Sequence, residues 1–448
     1  MATIFGKETK EYVLQAAWED WFIHEWQARE MQALLDGPYG LRAGEGERVV
    51  LLDNTCLCYE KYGVELSAGC VRVWGSYRSF ETAFCKFMEL LWSNRDLTEA
   101  DSVVGSIALP TAPLSRREQL IALLEHLMRD DRLLYGQHLC GSTKVSTLLS
   151  LYRSAVGQGP SMLDFDMIGL RVLPRGEWSR ALCELVEYAA DGGVITTMHH
   201  WLNPVHPESG TYRGSTDGVD NWNAILTRGH ALNAEWHKEL DRGAEFLAAL
   251  QAAGVTVVYR PLHEANGNWF WFGLDEGIGG EQLRAMFRYV YRYYTEECGL
   301  TNLVWCYSPN ISEMTAPHKL SVRSYYPGDE YCDIVACDWY TGGDEHYEIE
   351  SAVYEGNSYD RLMEYGKPFG LAELGFNAIG NDLKKNCEGL IRILKRMTAE
   401  GKRMAFVEVY GNGRGAPYFV GHGEAIREYA PILALEEMKA YIQKTVGR

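Results

Sequence analysis

Val255-Thr256-Val257-Val258-Tyr259-Arg260-Pro261-Leu262-His263-Glu264-Ala265-Asn266-Gly267-Asn268-Trp269-Phe270-Trp271-Phe272-Gly273 is the stretch that decides how this chain is read. Its first four residues form an apolar, largely β-branched run of the kind that fills a buried strand, so Glu264 falls where that strand ends. Trp269, Phe270 and Trp271 follow at once. A carboxylic acid for proton transfer beside flat aromatic faces suits a sugar ring. The competing reading is structural: a strand-end glutamate paired with Arg260, above a tryptophan cluster that is only core. Composition alone weighs the two about equally.

Outward from this stretch, apolar runs alternate with helical patterns, as a parallel barrel requires. Eight strands are predicted, centred near Leu134, Phe165, Thr196, Val258, Val304, Ala336, Gly370 and Phe406. The clearest helices between them are Trp178 to Ala190, His230 to Ala253, Gln282 to Cys298, Leu383 to Ala399 and Glu424 to Tyr441. The fold class expected is α/β, a (β/α)8 TIM barrel. At 448 residues the chain exceeds one barrel of about 250 residues, so an accessory domain is expected too. Residues 1–108 read as a small mixed α/β unit of unknown role and 109–448 as the barrel, with Ala108-Leu109-Pro110-Thr111-Ala112-Pro113 at the boundary.

In the first part, Trp18, Trp21, Phe22 and Trp26 predict a helix over residues 9–35. Val49–Leu52 and Val71–Trp74 read as strands, and Phe80, Phe84, Phe87, Met88 and Leu91 as one face of a second helix. Trp74 and Tyr77 are weighed as sugar contacts, with packing preferred. A helix from Ser115 to Met128 is expected to open on a Ser115/Glu118 capping box. Two long loops, Leu202 to about Arg228 and Thr341 to Glu350, follow the third and sixth strands, at the end where barrels build their sites.

A formal charge of -18 argues against nucleic acid, and no apolar run approaches a membrane span. A neutral substrate fits better. The 11 cysteines are odd in number and scattered, which favours a reducing compartment. Met1 to Glu8 lacks the apolar core of a signal peptide, so a cytoplasmic location is expected, with secretion and a removed signal as the alternative. Cys56-Leu57-Cys58 has the wrong spacing for zinc and no second pair, so neither metal nor cofactor is expected. The oligomeric state stays open.

Arg260-Pro261-Leu262-His263-Glu264-x-Asn266-Gly267-x-Trp269-Phe270-Trp271 resembles the acid/base signature of glycoside hydrolase family 26, best known for β-mannanases. Asn302-Leu303-Val304-Trp305, Tyr307-Ser308-Pro309-Asn310, Tyr325-Tyr326-Pro327-Gly328-Asp329 and Asp338-Trp339-Tyr340 follow in that family's order. Lys367-Pro368-Phe369-Gly370-Leu371-Ala372-Glu373-Leu374-Gly375 resembles its nucleophile strand. Leu134 to His138 and His200-Trp201-Leu202-Asn203-Pro204 are similar to its first and third strands. The resemblance covers roughly residues 110–440.

What the resemblance implies is a retaining glycosidase acting on β-1,4-mannan or its oligosaccharides, with Glu264 as acid/base and Glu373 as nucleophile. Both acids end strands, the fourth and the seventh, and so face one another across the ring. Family positions assign sugar contact to His200, His263, Trp269, Trp271, Tyr340 and Tyr410, with Tyr340 bonded to the nucleophile. Trp269 and Trp271 are expected to raise the pKa of Glu264 by desolvation. Arg260, Asn266, Trp339 and Glu408 are read as supporting residues, and His199 and Asp338 as lying behind the site. Tyr410 falls where mannanases of the family usually carry tryptophan, so the subsite should be roomier or differently polar. Glu408, one layer deeper, is expected to pair with an arginine or else reach a sugar hydroxyl. β-1,3-Xylanase or mixed-linkage β-glucanase activity, transglycosylation and non-catalytic carbohydrate binding remain the alternatives.

Overall fold

The computed structural model describes residues 12–16, 42–43, 48–93, 97–139, 144–310, 320–341, 358–376, 392, 394–410 and 431–447. The chain divides into two compact units, one of Met1–Pro110 with Val172–Glu187, the other of Thr111–Arg171 with Tyr188–Arg448.

The first unit carries a six-stranded mixed sheet of β1 (Tyr12–Ala16), β2 (Arg42–Ala43), β3 (Arg48–Asp53), β4 (Lys61–Ser67), β5 (Cys70–Gly75) and β6 (Val103–Ser106), in the spatial order β2-β1-β3-β5-β4-β6. Helix Phe80–Trp92 turns Phe80, Phe84, Phe87, Met88 and Leu91 onto Val50, Leu52, Val64, Val71 and Val73, which forms the unit's core. One expectation is overturned here: Tyr12–Ala16 is a strand, parallel to β3, and not part of a helix over 9–35. Five consecutive residues, Tyr12 to Ala16, pair with β3. Trp18, Trp21, Phe22 and Trp26 lie outside the described residues. Trp74 lies across Gly63 of β4, where an added Cβ would come within 2.6 Å of its indole, and its nitrogen donates to Glu65.

The second unit is a closed parallel barrel. Its strands are β7 (Leu133–Leu139), β8 (Met162–Asp166), β9 (Val194–Met198), β10 (Val257–Arg260), β11 (Leu303–Tyr307), β12 (Ile334–Thr341), β13 (Phe369–Phe376) and β14 (Phe406–Val409), each paired with its neighbour, and β14 with β7. All eight fall at the predicted centres. Strands covered on both faces read as continuous apolar runs, which is why they were legible. β15 (Ile432–Leu433) adds a short ninth strand beside the start of β7. Leu134, Met162, Val194, Val258, Val304, Ile334, Ala336 and Phe406 pack together in the barrel core. Gly370 makes room for the Phe406 ring, which a Cβ there would approach to 2.3 Å.

Helices Arg175–Ala190, Ala231–Ala252 and Gly280–Arg292 match expectation, the last running on as a π-helical turn at Tyr293–Glu297. Arg117–Arg129 forms too, with Gln119 in place of the Ser115/Glu118 box: its Oε1 accepts from the amides of Ser115 and Arg116, both at 3.1 Å. Leu435–Thr445 is helical, but β15 interrupts the helix expected over Glu424 to Tyr441, whose residues 424–430 lie outside the described residues. Residues 394–399 of the helix expected over 383–399 are helical; residues 383–391 and 393 lie outside the described residues, as does the loop from Gly342 to Glu350. Among the described residues no helix is long and apolar enough to cross a membrane.

Candidate active site

β10 ends at Arg260, and Glu264 stands four residues further on, in a turn. Leu262 and Glu264 both adopt left-handed backbone, each with φ of 53°. For residues with a Cβ this costs roughly 1–2 kcal/mol apiece, so other contacts must impose it. They are present. The Glu264 amide donates to the Ser308 carbonyl at 2.9 Å, Gly267 donates back to the Glu264 carbonyl at 2.9 Å, and the Tyr325 hydroxyl donates to the Leu262 carbonyl at 2.9 Å. Asn266 makes a two-way link to Asn310, donating to its carbonyl at 2.7 Å and accepting from its amide at 2.8 Å. Asn310 Nδ2 in turn donates to Glu264 Oε1 at 2.9 Å.

Glu373 reaches the same place from β13. The β12–β13 register shifts between Cys337 and Asp338, setting Asp338 opposite Glu373; such a bulge re-aims side chains. Arg260 Nη2 donates to Glu373 Oε1 at 2.9 Å, and the Tyr340 hydroxyl to Oε2 at 2.5 Å. Arg260 Nη1 also donates to Asp338 at 3.0 Å, which the Ser308 hydroxyl joins at 2.7 Å. One oxygen each of Glu264, Asp338 and Glu373 lie within 4.8 Å of one another. The positive charge that three such carboxylates call for comes from Arg260, fully buried and committed to two of them.

The two facing acids differ electrostatically. Burial, and then the charge of Glu373, push the Glu264 carboxyl up to about 7, against the Asn310 and Trp269 hydrogen bonds that pull it down. Glu264 therefore holds a proton close to neutrality, while Glu373 accepts two hydrogen bonds.

His200 Nδ1 lies 2.7 Å from Asp166 Oδ2, and its Nε2 lies 3.1 Å from His263 Nε2. Two imidazole nitrogens this close share one proton. Burial lowers the His200 pKa, but Asp166 outweighs it and raises the net value. Burial and the His200 charge hold His263 well below the usual range. His200 is thus the donor and His263 the acceptor. Asp166, despite burial, is lowered to about 2 by His200. Tyr212, from the loop after β9, packs against His200 at 4.4 Å, and Phe270 does so at 4.9 Å.

Several expectations are corrected. Trp271 is not at the site: it is fully buried, donates to the Trp201 carbonyl at 2.6 Å and packs edge-on against Trp236. Trp269 is half-buried and donates to Glu264 Oε2 at 2.7 Å; this bond lowers the Glu264 pKa, while burial, as expected, raises it. Trp339 is buried on the opposite side of β12 from Asp338 and Tyr340. Glu408 pairs with no arginine; neither carboxyl oxygen has a partner among the described residues. Tyr410 lies edge-on to Tyr340, the hydrogen-bond partner of Glu373, at 6.2 Å and stacked on His138 at 4.2 Å. Asn310, Asp166, Tyr212 and His138 belong to the site's surroundings without having been assigned there. Asn310 and His138 stood inside the quoted motifs and Tyr212 inside the long loop expected after the third strand, whereas nothing in the sequence marked Asp166.

A (β/α)8 barrel whose carboxyl end brings two carboxylic acids face to face, one of them protonated near neutrality, has the site of a glycoside hydrolase. The chain belongs to glycosyl hydrolase family 26, whose family model matches residues 111–386. It is 36% identical over 206 residues to mannan endo-1,4-beta-mannosidase A and B of Caldalkalibacillus mannanilyticus, covering 43% of this chain and 36% of that protein. It is 33% identical over 232 residues to a mannan endo-1,4-beta-mannosidase of Bacillus subtilis, covering 50% and 60%. The matches thus span less than two thirds of these relatives. The fold agrees with GH26A from a Muricauda species, with a TM-score of 0.56 and 24% identity over 71% of this chain and 96% of that one.

Proposed function

We propose that this protein is a retaining glycoside hydrolase that cleaves β-1,4-mannosidic bonds in mannan or manno-oligosaccharides. The observation that carries the reading is the closeness of Glu264 and Glu373, whose oxygens come within 4.8 Å. Retaining enzymes set the two carboxyl groups about 5–5.5 Å apart, while inverting enzymes leave roughly 6.5–9.5 Å for a water. The family and the names of the curated relatives support the choice of mannan.

In this mechanism Glu373 attacks the anomeric carbon while Glu264 protonates the leaving oxygen. A glycosyl ester on Glu373 results. Glu264, now ionised, takes a proton from water, which attacks the same carbon and releases the sugar with its configuration kept. Tyr340 and Arg260 hold the nucleophile's two oxygens, and the strained turn fixes the acid opposite.

The test uses an activated aryl mannoside, whose leaving group needs little protonation. Glu264→Ala should form the glycosyl-enzyme, stall, and be rescued by azide as a β-mannosyl azide; Glu373→Ala should form none. Proton NMR of the first product from mannotetraose should show the β anomer. An α anomer in the first moments would end the retaining assignment.

A further inference from the structure

Glu408 stands on β14 in register with Gly136 of β7, one pleat below Tyr410. It is buried, and both carboxyl oxygens lack a hydrogen-bond partner among the described residues. The space it fills is kept for it, since a Cβ on Gly136 would lie 2.4 Å from Glu408 Cγ. The nearby acids have their counterparts already. Asp164 takes His138 Nδ1 at 2.7 Å, Asp166 takes His200, and Asp338 and Glu373 share Arg260. The titratable groups that face Glu408 are Asp164 on β8, Arg260 on β10, Cys306 on β11, Asp338 on β12, Glu373 on β13 and Tyr188 on helix Arg175–Ala190. Only one of them is a cation, and it is committed elsewhere.

An ionised carboxylate buried without a partner is among the most unfavourable groups a protein can hold, so it takes up a proton. We propose that Glu408 is a positioning residue for Glu373: a proton-bearing carboxylic acid that adds no charge and donates to an internal water, leaving the Arg260 guanidinium to Asp338 and the nucleophile. Burial, then the charge of Asp164, push the Glu408 carboxyl well above the carboxylate range, and Arg260 offsets only part of this. The same interior holds other unpartnered polar atoms, Asp164 Oδ1, Thr196 Oγ1 and Arg260 Nε, with Asp164 and Thr196 in register on adjacent strands. These are the acceptors and donors that a neutral acid and an internal water would link. A second carboxylate here would instead repel Glu373 and compete for Arg260.

The proposal rests on the reading of Glu373 as nucleophile, and its test separates the two. The infrared difference spectrum of wild type against Glu408→Gln, at neutral pH, should show one protonated-carboxyl carbonyl band lost in the variant. This holds whatever the substrate is. Glu408→Gln, neutral and able to donate, should keep kcat/KM within about threefold and leave the alkaline limb of the pH profile in place or extend it, while Glu408→Leu loses about tenfold in kcat with KM unchanged, the worth of one buried hydrogen bond. Glu408→Met replaces the Leu variant if that one does not fold. A missing carbonyl band overturns the proposal, and so does a Gln variant that falls as far as the apolar one. A band that is present in an enzyme inactive on mannan overturns the substrate reading and leaves the protonated acid standing.

Discussion

The indole nitrogen of Trp269 donates to Glu264 Oε2 at 2.7 Å, so the aromatic nearest the acid acts on it as a hydrogen-bond donor. A donor to a carboxylate favours the charged form. Trp269→Phe removes the donor, keeps most of the ring, and should move the alkaline limb of kcat/KM upward from about 7, where Glu264 loses its proton, by up to about one pH unit. Asn310→Ala should shift it the same way, because Asn310 holds the other oxygen at 2.9 Å. A downward shift in either variant would mean that desolvation, and not these donors, is what the substitution changed.

The proton affinity of Glu264 also links activity to stability. Its carboxyl is raised from 4.5 to about 7 on folding, first by burial and then by Glu373. Between those values the folded chain holds a proton that the unfolded chain has lost, so stability falls as the pH rises through this window and stays reduced above it. Glu264→Gln cannot ionise. At about pH 8 it should exceed the wild type in unfolding free energy by roughly 3 kcal/mol, and the gap should close below 4.5. Urea unfolding at the two pH values measures it, and a gap that widens towards acid would refute the linkage.

Trp271 separates a packing role from a binding role. Its indole is fully buried against Trp236 and Phe272, with its nitrogen on the Trp201 carbonyl. Trp271→Ala should therefore lose about 3–5 kcal/mol of stability, as large-to-small core changes do. Trp271→Phe, which folds more readily, should leave KM for mannotetraose unchanged. A raised KM with unaltered stability would return Trp271 to the sugar site.

The barrel was legible because strands covered on both faces announce themselves as apolar runs at regular intervals, as Val257–Val258, Val304 and Phe406–Val407 do. That Glu264 and Glu373 would face one another was legible from the motifs, although neither ends its strand as expected: Glu264 lies in the turn past β10 and Glu373 within β13. What the sequence did not disclose is direction and handedness. Trp269 and Trp271 are two residues apart, and in an irregular turn no period says which faces the cleft; one donates to Glu264 and the other enters the core. Nor did Leu262 and Glu264 betray their left-handed backbone, since neither is glycine or asparagine and the constraint comes from Ser308 and Tyr325, over 40 residues away. Long-range partners such as Asp166 for His200 leave no local trace.

Tyr340 offers a test of how Glu373 is held. Its hydroxyl donates to Glu373 Oε2 at 2.5 Å, while Arg260 occupies Oε1. As Glu373 becomes a glycosyl ester it gives up charge, and the freed tyrosine can follow the reacting oxygen. Tyr340→Phe leaves the ring and removes the donor, so kcat should fall by about 10²–10³, the typical loss for one preorganised donor at a reacting centre. The thermal midpoint should change little. A loss confined to KM would mean that Tyr340 binds sugar without orienting Glu373.

Tyr410 carries the specificity question. Its ring stacks on His138 at 4.2 Å and meets Tyr340, the hydrogen-bond partner of Glu373, edge-on at 6.2 Å. An indole there has more stacking area than a phenol and lacks the hydroxyl. Enlarging the ring narrows the space next to Tyr340, which a xylosyl unit, lacking the exocyclic hydroxymethyl group, tolerates more easily than a mannosyl or glucosyl unit. Tyr410→Trp should therefore change the ratio of kcat/KM values among mannosyl, glucosyl and xylosyl substrates by about tenfold, within the range that pocket shape alone supplies. Because Tyr410 is only partly buried, the thermal midpoint should move by less than about 4 °C. Ratios that stay constant while the midpoint drops would show that Tyr410 packs His138 and does not shape the subsite.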